Sequence, residues 1–429
     1  MRLYLENIGK IKNTDIKING VTIIAGENDT GKSTVSKALY AFFRSFHDFQ
    51  QKTKKERKES IQRIIFKAIR ETFDDLNYSR YQTRLIFENI VEEIMNFIDI
   101  NGLEKFNDVK LKDIIAVDSD GSFEEEQDAF TDIDYVDVYN RIISIMDITP
   151  LELSRAIFSK VLQAEFNEQV NNIFTSKSGT ILLEIDQKEY KSVITDNKVN
   201  SISKIINLYT DVVYIDDPYV LDEINRPFFH GRTLYNHRDD LRIKLAINDF
   251  KHGFIDEVVA EKKLDEIIMK LNSVCPGQIV RSRGMTGYSK GDSDQFIDVR
   301  NLSMGLKAFV ILKTLLLNGT IEENGTIIMD EPEIHLHPDW QVKLAELIVL
   351  IQKEFGLHIL ITTHSPYFLN AVEVFSEIHG ITEKCNYYLA SNDTENYATI
   401  EEVTDNIDLI YKKLARPFQD LENFRYQDD

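Results

Sequence analysis

The first 25 residues alternate apolar and polar positions, as in Leu3-Tyr4-Leu5 and Ile16-Lys17-Ile18, and then become continuously apolar at Val21-Thr22-Ile23-Ile24-Ala25. Alternation at period two predicts an antiparallel hairpin, and the unbroken β-branched run predicts a buried strand. From about residue 46 the period changes. Ile86, Phe87, Ile90, Val91, Ile94, Phe97 and Ile98 recur at helical spacing, as do Leu153, Ile157, Phe158, Val161, Leu162, Val170, Ile173 and Phe174 after the start signal Thr149-Pro150. Residues 46–175 therefore read as a helical insertion within a head made of 1–45 and 176–429. Strand patterns resume as a hairpin at 180–185 and 190–194, and as a run at Val212-Val213-Tyr214-Ile215 that ends in Asp216-Asp217-Pro218. Residues 219–295 are mixed, with a helical patch near 255–273 and a flexible polar segment at Arg283-Gly284-Met285-Thr286-Gly287. A last hairpin is expected around Tyr387 to Ile400 and a helix around Ile407 to Leu414.

The apolar run at 21–25 delivers Gly26-Glu27-Asn28-Asp29-Thr30-Gly31-Lys32-Ser33, a complete G-x-x-x-x-G-K-[ST] loop, and Thr34-Val35-Ser36-Lys37-Ala38-Leu39-Tyr40 continues as a helix. Such a loop binds a nucleoside triphosphate. Its glycines let successive N–H groups face the phosphates, Lys32 reaches the β and γ oxygens, and the Ser33 hydroxyl is a hard ligand for Mg²⁺. The dipole of the following helix points at the same phosphates. Gly26, Asn28, Asp29, Thr30, Gly31 and Thr34 belong to the expected nucleotide-binding set.

Three further segments refine that chemistry. Gly325-Thr326-Ile327-Ile328-Met329-Asp330-Glu331-Pro332 is a buried-strand run ending in two carboxylates, which suits Asp330 to the metal and Glu331 to polarising a water. His358-Ile359-Leu360-Ile361-Thr362-Thr363 is another short strand and delivers His364, placed to donate a hydrogen bond to the γ-phosphate. Asn301-Leu302-Ser303-Met304-Gly305 precedes an apolar helix pattern. Ser303 stands at its N-cap and Gly305 allows close backbone approach, so this start is a second anion site, most simply serving the nucleotide of a partner protomer. The alternation Glu333-x-His335-x-His337 has zinc-ligand residue types, but no nearby Cys or further His completes a site.

In this order the motifs resemble the ABC-type ATPase superfamily, and within it the soluble branch of SMC and double-strand-break-repair ATPases and overcoming-lysogenization-defect (OLD) proteins. The loop form G-E-N-D-T-G-K-S and the segment E-P-E-I-H-L-H-P lean toward the OLD-like group, which includes Septu-type and PARIS-type defence ATPases. The resemblance covers roughly residues 1–45 and 295–375. It implies an α/β fold: a P-loop NTPase of ABC type with a mixed sheet, an antiparallel β subdomain and a helical insertion. It also implies Mg²⁺-dependent ATP hydrolysis by two heads that sandwich two nucleotides, in a dimer or higher oligomer. Ser303 and Gly305 of one protomer would close on the γ-phosphate held by Lys32 of the other. Ser33 and Asp330 would hold Mg²⁺, Glu331 would act on water, and His364 would sense the γ-phosphate. The glutamine-bearing loop of the superfamily and the adenine contacts have no assigned residue. In the OLD-like group comparable heads carry a nuclease domain or control a separately encoded effector, often in bacterial anti-phage defence. Residues 365–429 are few for a Toprim nuclease domain, so the resemblance points to a separate effector protein such as a nuclease.

Composition narrows the setting. The chain has 429 residues, 43% hydrophobic and 28% charged, enough for a large core. It lacks the run of about 20 apolar residues that a membrane span needs, begins on a strand pattern rather than a signal peptide, and spaces Cys275 and Cys385 far apart, which fits a reducing cytoplasm. A formal net charge of −21 argues against wholesale nucleic-acid binding. The local exception is Lys52-Thr53-Lys54-Lys55-Glu56-Arg57-Lys58 with Arg63, Lys67 and Arg70, read first as a solvated helix face. Its acidic counterpart is Glu124-Glu125-Glu126-Gln127-Asp128 with Asp132, Asp134 and Asp137. That basic run keeps nucleic acid open as a partner and supports the alternative function, a DNA-repair or DNA-structure ATPase; a transporter subunit ranks third. Run out and back as a hairpin, the insertion would reach at most about 100 Å, so a compact helical subdomain is expected rather than a long tethering coiled coil.

Overall fold

The alternating N-terminal residues form the hairpin β1 (Arg2–Ile8) and β2 (Ile11–Lys17), and the apolar run forms β3 (Val21–Gly26), buried along its whole length. The computed structural model describes residues 1–75, 80–119, 133–226, 236–247, 254–282, 285–290, 295–395 and 397–425. Two compact units emerge: Met1–His47 together with Arg155–Asp429, and Asp48–Ser154.

In the larger unit α1 (Lys32–Phe46) leaves the phosphate loop. In the smaller, α2 (Phe49–Asp75) packs on α3 (Arg80–Asn101), which packs on α4 (Asp108–Ser119), and α5 (Tyr135–Met146) closes on α2 and α4. Ile61, Ile65, Phe87, Ile90, Ile94, Phe106, Leu111 and Ile142 form its core, the helical repeat of the sequence turned to one face. The basic run lies on α2, and several of its charges meet acids within the unit. Lys54 reaches Asp99 at 2.6 Å and Lys58 reaches Glu92 at 3.3 Å, while Arg57 donates to the Ile148 carbonyl at 2.6 Å. Exposed pairs of this kind stabilise little. They do reduce the positive charge that α2 presents. The acidic residues 124–128 and Asp132 lie outside the described residues, as does the side chain of Arg70. Asp134 caps α5 by accepting from the Asp137 N–H, and Asp137 pairs with Arg141 at 2.9 Å.

The apolar spacing predicts helix as far as residue 175, but α6 (Pro150–Glu165) stops earlier. Asn167 and Glu168 take φ of 48° and 67°, and Asn197 Oδ1 accepts from the N–H groups of Val170 and Asn171, holding that stretch extended. Ile173 and Phe174 are therefore exposed rather than core residues. The later part of α6 belongs to the larger unit, where Phe158 meets Phe42 and Phe46 of α1 with ring centroids 5.7 and 5.6 Å apart.

The chain continues through β4 (Gly179–Ile185), β5 (Lys188–Thr195), β6 (Lys198–Ile202), β7 (Val212–Ile215), α7 (His237–Leu245) and α8 (Phe254–Val274). Next come β8 (Gln278–Ser282), β9 (Met285–Ser289), β10 (Ile297–Asp298), α9 (Met304–Leu317), β11 (Thr326–Asp330) and α10 (Pro338–Phe355). The last elements are β12 (His358–Thr363), α11 (Pro366–Ile378), β13 (Cys385–Asn392), β14 (Ala398–Glu402) and α12 (Asp408–Arg425). The main sheet is mixed, in the order β6-β5-β4-β1-β2-β14-β13-β3-β12-β11-β7. Strands β13, β3, β12, β11 and β7 run parallel; β6, β5, β4, β1 and β2 are antiparallel neighbours.

Of the segment 283–287 expected to be flexible, Arg283 and Gly284 lie outside the described residues, while Met285–Ser289 form a strand. They pair with β8 and β10 in a separate small sheet. Gly287 reads as a loop residue, yet a Cβ there would stand 1.9 Å from the Phe296 ring, so the glycine makes room for packing.

The parallel strands position the chemistry. Parallel neighbours need crossover connections, here α1 after β3 and α10 between β11 and β12, and this brings the strand exits to one end of the sheet. Asp330 lies beside Thr362 and Thr362 beside Ile24, so the phosphate loop and the two motif-bearing exits start from one row. Behind that row Ile23, Ile327 and Ile361 pack with Phe309 of α9, Ile348 of α10 and Leu369 of α11 in one apolar cluster. Among the described residues no helix is long and apolar enough to cross a membrane.

Candidate nucleotide-hydrolysis site

Gly26 ends β3 where β13 passes so closely that a Cβ would lie 2.3 Å from the Ala390 carbonyl oxygen. The loop then turns through two left-handed residues, Asp29 (φ 60°) and Gly31 (φ 78°). Asp29 carries a Cβ in that strained region, and Lys10 holds it, with Nζ 2.6 Å from Oδ2 and 3.0 Å from the carbonyl oxygen. Thr30 is buried and donates its hydroxyl to the Glu27 carbonyl at 2.8 Å, whereas Asn28 and Ser33 are exposed and Thr34 is half-buried. Helix α1 begins on Gly31 without a side-chain cap, which leaves its first turn suited to an anion.

Lys32 is 4% exposed, and its ammonium donates to the carbonyls of Gly26 (3.1 Å) and Glu27 (2.8 Å). Burial lowers its pKa, while the charges of Glu331, Asp330 and Glu333 act in the opposite direction. This is a lysine folded onto its own loop with acids facing it.

At the exit of β11, Asp330 accepts from the Thr362 hydroxyl on Oδ1 and from the Tyr214 hydroxyl on Oδ2, the latter at 3.1 Å. Glu331 adopts φ 51°, and its N–H donates to the Thr362 carbonyl (3.0 Å) and hydroxyl (3.1 Å). Its carboxylate lies 3.8 Å from Lys32 Nζ and 3.5 Å from His364 Nδ1. Hydrogen bonding to His364 holds the Glu331 carboxyl below its usual range, and the same bond raises the His364 imidazole above its own. Both shifts describe one ion pair.

Glu333, which the sequence offered only as part of an incomplete zinc-type alternation, has a structural role here. It is 3% exposed; its Oε1 accepts from the Thr363 hydroxyl at 2.6 Å and the His364 N–H at 3.0 Å. Burial raises its pKa, and Oε2 is buried without a hydrogen-bond partner. Glu333 therefore ties the His364 turn to the β11 exit. His335 and His337 face outward, and His337 Nδ1 caps α10 by accepting from the Asp339 N–H at 3.3 Å.

The remaining expected residues stand apart. Ser303 is exposed and caps α9 by accepting from the Leu306 N–H at 3.4 Å. Gly305 is buried, and the close approach it permits is that of Leu336 and Trp340 of the same chain, whose side chains lie 3.1 and 3.2 Å from where a Cβ would be. Among the described residues neither hydrogen-bonds to the phosphate loop. At the edge of the parallel strands, β7 flanks β11 and exits at Asp216-Asp217, which together with Asp330 and Glu331 border a cavity of about 190 Å³.

Residues 1–369 match the family model AAA_15, an AAA ATPase domain. The chain belongs to this ATPase family. The AAA_15 protein is also 26% identical over 203 residues to the Septu protein PtuA of Bacillus thuringiensis, across 39% of its own length and 50% of the relative's. It thus spans half the length of that curated relative. Among solved structures, the SMC head domain from Thermotoga maritima aligns at 10% identity with a TM-score of 0.37, covering 94% of this chain and 98% of the other. An SMC head bound to the C-terminal winged-helix domain of ScpA aligns at 11% and 0.42, covering 95% and 98%. The AAA_15 family implies a nucleotide, and the structure brings together a buried lysine, an uncapped helix start after β3 and carboxylates at the neighbouring strand exits.

Proposed function

We propose that this AAA_15 protein hydrolyses ATP with Mg²⁺ between two copies of the chain, and uses that cycle to control a separately encoded effector in anti-phage defence. One observation carries the catalytic part: Lys32, Glu331 and His364 meet at three strand ends, with the carboxylate within 3.8 Å of both cations, while the exposed Ser303 helix start engages none of them. A second copy would supply that missing face.

The donor set fits both ligands. Lys32 and the uncapped start of α1 suit phosphate oxygens, and the Ser33 hydroxyl and Asp330 carboxylate are hard oxygen ligands of the kind Mg²⁺ takes. When bound, the ion neutralises charge on the phosphates. In the proposed reaction Lys32 turns from its own carbonyls to the β and γ oxygens. Glu331, charged at neutral pH, accepts a proton from the attacking water, and His364 donates to the γ-phosphate and leaves Glu331 free to do so. ATP then acts as intermolecular glue, and hydrolysis separates the heads.

The defence and effector parts rest on the likeness to the Septu protein PtuA and to Septu-type ATPases. Glu331→Gln with ATP should accumulate a dimer on size-exclusion chromatography with light scattering, and adding Ser303→Arg should return it to monomer. A Glu331→Gln protein that stays monomeric at saturating ATP would remove the sandwich. Copurification with the product of the neighbouring gene tests the effector, and a chain that purifies alone from its native operon counts against it.

A further inference from the structure

Asp330 is gripped from behind by buried polar groups that the reaction above does not use. Tyr214 of β7 is 2% exposed, and its hydroxyl donates to Asp330 Oδ2 at 3.1 Å. Thr362 donates to the other oxygen, so among the described residues each carboxylate oxygen has one protein donor and keeps a lone pair for a metal. The Tyr214 ring is itself held. It stacks on the imidazole of His237, the first residue of α7, with centroids 4.1 Å apart and planes 23° from parallel.

His237 has little freedom. Its Nδ1 is 2.6 Å from Glu165 Oε2 and its Nε2 is 3.0 Å from Asp216 Oδ2, while its backbone N–H donates to Glu165 Oε1 at 2.7 Å. Nδ1 hydrogen-bonds to Glu165, and the Asp216 carboxylate stands beside Nε2 outside hydrogen-bond geometry, so negative charge flanks both ring nitrogens and favours the cationic form. A cation stacked on a phenol draws on its π electrons and strengthens its hydroxyl as a donor. The acceptor is Asp330. Partners of this kind fix the orientation of a ligand and tune its affinity for the metal.

We propose that Tyr214 is a positioning residue for Asp330, orienting its carboxylate for the divalent ion, and that the Glu165–His237–Asp216 clamp holds the tyrosine ring for that task. The proposal rests on the reading of Asp330 as a metal ligand.

Mn²⁺ titration of the full chain with a nonhydrolysable ATP analogue, followed by electron paramagnetic resonance, reads metal binding without turnover. Tyr214→Phe keeps the ring and the stack, and is expected to weaken Mn²⁺ about ten-fold. Binding of the analogue without metal, and the thermal midpoint, should stay near wild type. Asp330→Asn in the same titration should lose the tight site. If Asp330→Asn loses Mn²⁺ but Tyr214→Phe binds it as wild type does, the positioning role is overturned and the ligand reading stands. If Asp330→Asn binds Mn²⁺ normally, the ligand reading falls and the proposal with it. Glu165→Gln provides a second arm that leaves Tyr214 in place. A smaller loss of Mn²⁺ affinity supports the clamp, and an unchanged affinity overturns its part.

Discussion

The carboxylate of Glu331 stands 3.5 Å from Nδ1 of His364 and forms an ion pair with it. In its proposed role as general base Glu331 is charged but engaged, so it would reach a water only when His364 takes another acceptor. The proposed acceptor is the γ-phosphate. Glu331→Gln keeps a hydrogen-bonding side chain of the same shape and loses the base. It is expected to bind ATP as wild type does and to cut turnover by at least about 100-fold. Single-turnover hydrolysis beside filter binding measures both, and normal hydrolysis would exclude Glu331 as the base.

Lys32→Ala removes a buried cation that donates to two carbonyls of its own loop. A charge-assisted bond to phosphate contributes roughly 1.5–3 kcal/mol, so the variant should bind a fluorescent ATP analogue at least about ten-fold more weakly. Equal affinity in an equilibrium titration would contradict the phosphate role of this lysine.

For Glu333 the prediction separates shape from charge. Glu333→Gln retains an oxygen for the Thr363 hydroxyl and the His364 N–H, and should change stability little. Glu333→Ala leaves both donors unpaired beside a small void and should cost about 2–4 kcal/mol in urea unfolding. If the two variants unfold alike, Glu333 does not anchor the His364 turn.

The parts of the site that follow chain order were legible in the sequence. Gly26 to Ser33, Asp330-Glu331 and His364 each follow an apolar β-branched run, and strands of that kind in a parallel sheet carry their exits to one end. The supporting groups were not legible, because their roles depend on contacts across the fold. Tyr214 sits within an apolar strand run and reads as core until β7 is placed beside β11. Glu333 reads from sequence as one member of an incomplete Glu-x-His-x-His alternation, and its inward turn accompanies left-handed backbone at Glu331 and His335. His237 meets Glu165 from 72 residues away, a separation at which no local pattern is visible. In the same way Gly287 signalled a loop by composition, while Phe296 is the reason it is glycine.

His237 also gives the molecule a pH dependence of known sign. Burial lowers its pKa, but the two flanking carboxylates, Asp216 and Glu165, outweigh that and bring it to about 9, above the ordinary value of 6.5. The folded chain therefore binds this proton more tightly than the unfolded one. The resulting stabilisation is full below about pH 6.5 and is lost as pH rises through about 9. A shift of this size corresponds to roughly 3 kcal/mol. Other groups titrate in the same interval, so the measurement is the gap in unfolding free energy between wild type and His237→Gln, taken by urea titration at several pH values. That gap should be largest at pH 6 and shrink by roughly 3 kcal/mol by pH 9.5. A gap that stays constant, or widens with pH, would mean that the imidazole is neutral between its two carboxylates.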